Sequence, residues 1–88
     1  MKTIIFDERS YKWDKDPDLN PLLLKQMFRW LEDVFKYRGY LYLNRVYEYL
    51  GIEWDPNDEN ICYKKENGPV KFNYELTDFN TYRVIITQ

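Results

Sequence analysis

The apolar positions of this chain change period as it runs, and each change marks an element. Thr3-Ile4-Ile5-Phe6 is a β-branched and aromatic run that predicts a short strand. Residues 7–18 are polar, contain Asp16-Pro17 and predict a loop anchored by Tyr11 and Trp13. Asn20-Pro21 signals a helix start, with asparagine as the cap and proline at the first helical position, where no N–H is needed. From there Leu24, Met27, Phe28, Leu31, Val34 and Phe35 follow the i, i+3, i+4, i+7 repeat, which predicts an amphipathic helix over 21–38. Lys25, Arg29, Glu32 and Lys36 form its polar stripe, and Arg29–Asp33 and Glu32–Lys36 are spaced as i,i+4 ion pairs. Lys36 and Arg38 suit the negative end of the helix dipole, and Gly39 suits a left-handed cap.

After a turn, Leu43, Val46, Tyr47 and Leu50 repeat at helical spacing and Gly51 closes a second, shorter helix. Residues 53–60 predict a loop broken by Asp55-Pro56. Ile61 to Lys65 predicts a strand, with Glu66-Asn67-Gly68-Pro69 as a hairpin turn into the next one. There Val70, Phe72, Tyr74 and Leu76 alternate with Lys71, Asn73 and Glu75, the period of two of a half-buried strand. Thr77 to Asn80 turns, and Tyr82 to Thr87 predicts a last strand that pairs with residues 3–6. The order is β-α-α-β-β-β: an α+β fold with two helices packed on one face of a small antiparallel sheet. At 88 residues the chain accommodates a single domain, 1–88.

Composition narrows the function classes. No apolar run approaches the ~18 residues of a membrane span. The N-terminal run turns charged at Asp7-Glu8, unlike a signal peptide, and the single cysteine, Cys62, allows no internal disulfide, so a soluble cytoplasmic protein is expected. The net charge of −2 marks no partner, but residues 53–60 concentrate Glu53, Asp55, Asp58 and Glu59 with no cation among them.

The absent residue types exclude most catalysis. Without histidine there is no imidazole base and no usual zinc site. The three glycines stand at caps and turns rather than in a phosphate-binding loop, and Ser10, the only serine, lacks triad partners. Cys62 falls in a predicted strand and reads as a core residue. Asp14, Asp16 and Asp18 are expected to be solvated turn residues. Asp55, Asn57, Glu59 and Glu66 occupy calcium-loop positions, but Asn60 stands where the sharp turn needs glycine. No enzyme activity, cofactor or metal is expected.

Binding remains. Nine tyrosines and three tryptophans exceed what one small core hides, and exposed tyrosine, tryptophan and arginine are the residues of interface hot spots. The outward set is Arg38, Tyr42, Arg45 and Tyr49, followed by the acidic loop with Trp54, Asp55, Asp58 and Glu59, so a protein partner is the main expectation. The interleaving of Lys36, Arg38 and Arg45 with Tyr37, Tyr40, Tyr42 and Tyr49 makes a nucleic-acid-binding accessory protein the first alternative. A small structural phage component that self-associates is the second.

That second alternative comes from a resemblance. Trp30-Leu31-Glu32, Arg38-Gly39-Tyr40, Leu43-Asn44 and Tyr47-Glu48-Tyr49-Leu50-Gly51 resemble segments of small, mostly uncharacterised phage and prophage proteins of Gram-positive bacteria. The likeness spans residues 30 to about 76. Cys62-Tyr63 and Phe72-Asn73-Tyr74 depart from the Gly-Trp and Asp-Phe-Gly that the group often carries. The resemblance implies a mobile-element origin and no established activity or site residues; small phage proteins without catalytic residues are often binders, so a modulator or inhibitor of a host complex, such as a defence nuclease, is the expected form.

Overall fold

The structure, a computed structural model, describes all 88 residues. In chain order its elements are β1 (Lys2–Phe6), α1 (Asn20–Arg38), β2 (Tyr40–Tyr42), α2 (Leu43–Leu50), β3 (Cys62–Lys64), β4 (Lys71–Leu76) and β5 (Tyr82–Thr87). The fold is α+β, as the pattern of periods implied, with one strand more than expected. β1, β5 and β4 form an antiparallel sheet in that spatial order, and β2 and β3 form a separate two-stranded ribbon.

The expected pairing of the chain's first and last strands is present, in the register Lys2↔Ile86 through Phe6↔Tyr82. β4 takes the other side of β5, Lys71↔Thr87 through Leu76↔Tyr82. Because side chains alternate, one face presents Ile4, Phe6, Phe72, Tyr82, Val84 and Ile86 to the interior. The apolar stripe of α1 covers it: Leu24, Met27, Phe28, Leu31 and Phe35 are buried, and Phe28 stacks on Phe72 at 5.5 Å between ring centroids. Leu76, last in the alternating run, pairs with Tyr82 but is exposed, unlike the rest of that run's buried face. α2 packs against α1 and β2, adding Leu43, Val46, Tyr47 and Leu50 to a continuous core of 17 residues.

The hairpin expected at residues 66–69 is not there. β3 pairs with β2, Tyr40↔Lys64 to Tyr42↔Cys62, and a 3-10 turn at Lys65–Asn67 followed by Gly68 (φ 101°) carries the chain away to β4. Pro69 has no N–H to give to a ladder at that point. The helix starts also differ in detail. Asn20 is not the cap but the first helical residue, and its fully buried side chain clips the preceding loop: its Oδ1 accepts the Asp14 N–H at 2.8 Å and its Nδ2 donates to the Asp14 carbonyl at 2.9 Å. Trp13 anchors that loop, 5.4 Å from Phe6 and 6.1 Å from Tyr82, whereas Tyr11 is exposed. Arg29–Asp33 and Glu32–Lys36 form no ion pair; exposed pairs of that spacing offset little side-chain entropy.

Candidate interaction cleft

Gly39 ends α1 in the left-handed conformation (φ 82°), with its N–H on the Phe35 carbonyl at 2.7 Å, and so reverses the chain directly into β2. The three strand residues alternate: Leu41 is buried, and Tyr40 and Tyr42 point outward with their rings edge to face at 5.9 Å. Tyr42 is still extended (φ −76°, ψ 140°) when α2 begins, so the strand passes into the helix without a loop. This tight succession places the last turns of α1, the strand and the first turns of α2 around one cleft of about 350 Å³.

Val34 and Arg38 line it from α1, Tyr40, Leu41 and Tyr42 from β2, Asn44, Arg45 and Glu48 from α2, and Trp54 from the loop that follows α2. The Arg45 guanidinium lies 3.9 Å from the Glu48 carboxylate. The Asn44 Nδ2 donates to the Glu59 carbonyl at 3.2 Å, which leaves the Asn44 Oδ1 buried without a donor. A second concavity of about 460 Å³ shares Tyr40 and Tyr42 and adds Gly39, Cys62, Lys64, Lys65 and Glu66. The two tyrosines are therefore a ridge with a hollow on either side.

Of the residues expected to be outward, Arg38, Tyr42, Arg45 and Trp54 converge on this cleft. Tyr49 does not. It stacks on Trp30 at 4.3 Å with 8° between the rings, and the Lys12 ammonium sits 3.9 Å over its other face. Lys12 also donates to the Tyr49 carbonyl, and burial holds its pKa below the ordinary lysine value. Asp55 accepts the Asn57 N–H at 3.0 Å and so caps the 3-10 turn Pro56–Asp58. Glu59 is exposed, beside Asn44 rather than in the cleft.

Asp58 requires a correction. The sequence pattern sets it with Asp55 and Glu59 as one of three loop carboxylates facing a partner, but it is buried, 2.6 Å from the Lys2 ammonium and 2.7 Å from the Tyr47 hydroxyl, which donates to it. The contact with Lys2, then the Tyr47 bond, holds its carboxyl below the usual range. Burial and the same bond push Tyr47 far above the usual tyrosine value. Asp58 thus joins β1 to α2 and contributes nothing to the surface. The aspartates of the first loop serve turns: Asp14 accepts the Asp16 N–H at 2.8 Å and Asp16 accepts the Asp18 N–H at 3.0 Å. No three carboxylates or thiols gather in a way that could hold a metal ion.

The tyrosines divide cleanly. Tyr47 and Tyr82 are buried, Tyr49, Tyr63 and Tyr74 are half-buried, and Tyr11, Tyr37, Tyr40 and Tyr42 are exposed. The sequence reading missed the unpartnered Asn44 oxygen and the Lys12–Tyr49–Trp30 stack, both of which need the fold to bring their members together. No helix is long and apolar enough to cross a membrane. No protein-family model, curated protein or solved structure matches the chain.

Proposed function

We propose that this chain is a non-enzymatic protein-binding module that engages its partner through the cleft between α1, β2 and α2. The observation that carries the proposal is the convergence of Arg38, Tyr42, Arg45 and Trp54 on one concave surface, from three separate elements. Tyr42 and Trp54 are each about half exposed, at 50% and 44%, so a partner gains large aromatic area at little entropic cost. The likeness of residues 30 to about 76 to small phage and prophage proteins gives the proposal its concrete form: a mobile-element-encoded modulator or inhibitor of a host complex, for example a defence nuclease. The second reading, a nucleic-acid-binding accessory role, draws on Arg38 and Arg45 lying beside Tyr40 and Tyr42; it requires binding that falls steeply with salt.

Affinity capture from a lysate of the expressing cells tests the first reading, with wild type beside Tyr42→Ala and Trp54→Ala, each checked for folding by circular dichroism. A protein held by wild type and lost from the folded variants is the expected result. Capture of no protein even after chemical cross-linking, or equal capture by all three, overturns it.

A further inference from the structure

We infer that the cleft takes an extended acidic peptide segment of its partner, laid along the open edge of β2. The inference rests on the protein-binding reading above and specifies the chemistry of what is bound. Two independent features point the same way.

The first is charge. Across the cleft and the hollow beyond the tyrosine ridge, Arg38, Arg45, Lys64 and Lys65 stand against only Glu48 and Glu66, on a chain whose net charge is −2. Cations are thus collected on the surface that also exposes Tyr40 and Tyr42. Arginine in particular presents a planar fork suited to carboxylates, and Arg45 is held only loosely by Glu48 at 3.9 Å.

The second is the strand edge. β2 pairs only with β3, and the flanking bonds Leu43 N–H to Ile61 carbonyl (2.9 Å) and Lys65 N–H to Gly39 carbonyl (2.9 Å) fix the ladder on that side. The walls of the cleft come from α1, α2 and Trp54, and none from β3, so the cleft lies along the edge of β2 that no strand occupies. An extended peptide there adds main-chain pairing to the side-chain contacts, while its carboxylates reach Arg38 and Arg45. A nucleic acid satisfies the arginines as well. Glu53 and Asp55 flank Trp54 in the sequence, and carboxylates next to a lining residue repel a long polyanion more than a short acidic segment.

Selection from a displayed library of random twelve-residue peptides on the folded chain tests the inference, followed by fluorescence anisotropy of the enriched peptides. Arg38→Glu/Arg45→Glu, two exposed side chains, serves as the charge-reversal variant, and a labelled oligo-thymidine as the nucleic-acid probe. The expected result is enrichment in aspartate and glutamate, with binding at least about tenfold weaker to the charge-reversal variant and shifts of the Tyr40–Asn44 amides on titration. Enrichment without acidic excess, indifference to charge reversal, no enrichment at all, or binding of the oligonucleotide alone each overturns it. A partner still captured from lysate by the charge-reversal variant but lost from Trp54→Ala would sink the acidic segment and leave the protein-binding module standing.

Discussion

Asp58 shows how a single buried carboxylate sets the acid response of the fold. Its folded pKa is lowered by the Lys2 ammonium first and the Tyr47 hydroxyl second, relative to an ordinary value of 3.8. A depressed carboxylate stabilises the fold above its unfolded pKa, and that contribution is lost as pH falls through the lower folded value. Urea unfolding of wild type should therefore weaken below about pH 4. Asp58→Asn should be less stable at neutral pH by about 2 kcal/mol, since Lys2 loses its partner but can still reach water. It should also show a flatter acid limb. Parallel pH profiles for the two proteins would mean that Asp58 is not the group responsible. The sequence placed Asp58 among loop carboxylates because nothing local distinguishes it from Asp55 or Glu59. Its partners are at the chain's start and one helix away, and only the fold brings them together.

At the scale of elements, α2 is the informative case. A helix of eight residues is too short to persist alone, so its ends must be held. Three successive residues of the first loop hold its C-terminus. The Ser10 hydroxyl donates to the Leu50 carbonyl at 2.6 Å, the Lys12 ammonium reaches the Tyr49 carbonyl, and the Tyr11 ring lies over Gly51. These are carbonyls that no helical N–H can satisfy, and a cation suits that end of the dipole. Gly51 is needed twice: its φ is 72°, and a Cβ there would come within 2.7 Å of the Ser10 Oγ and 3.1 Å of the Tyr11 ring. Gly39 has a similar φ of 82° but open space around it. Gly39→Ala should cost about 1 kcal/mol, the left-handed penalty alone. Gly51→Ala should cost about 2–3 kcal/mol and speed hydrogen exchange at the Ile52 amide, which bonds the Tyr47 carbonyl. Equal losses in urea unfolding would show that the loop does not clasp the helix. Periodicity revealed both helices and β4, which repeat their patterns over enough residues, and β-branched runs revealed β1 and β5. β2 escaped because three residues between a glycine and a helix carry a single alternation, Tyr-Leu-Tyr, which reads equally well as a turn. The ribbon's pairing, and with it the cleft, was hidden for that reason, although Arg38, Tyr42, Arg45 and Trp54 were each identifiable one by one.

At the scale of the molecule, the question is whether the sheet with α1 and the smaller β2–α2–β3 unit fold together. The core is one cluster, and the two parts are also tied by the Asp58–Lys2 pair and the loop that clasps α2. A chain of this length has a total stability of about 4–13 kcal/mol. Phe6 is fully buried on β1, beside Trp13 and not among the residues that line the cleft, and truncating such a side chain costs about 3–4 kcal/mol. Phe6→Ala therefore removes a large share of the whole from one edge of the sheet. If the domain is cooperative, far-UV circular dichroism and tryptophan fluorescence will still give one coincident transition, shifted to lower urea. The fluorescence draws on tryptophans in separate places: Trp13 under the sheet, Trp30 between α1 and α2, and Trp54 at the cleft. Two separated transitions would instead mean that β2–α2–β3 survives loss of the sheet. In that case the cleft, two of whose walls belong to α1 and α2, would lose its α1 wall before the unit beside it melts. A single transition ties the geometry of the cleft to a core residue that never touches it, so that Phe6→Ala weakens partner capture in proportion to the fraction unfolded and no further.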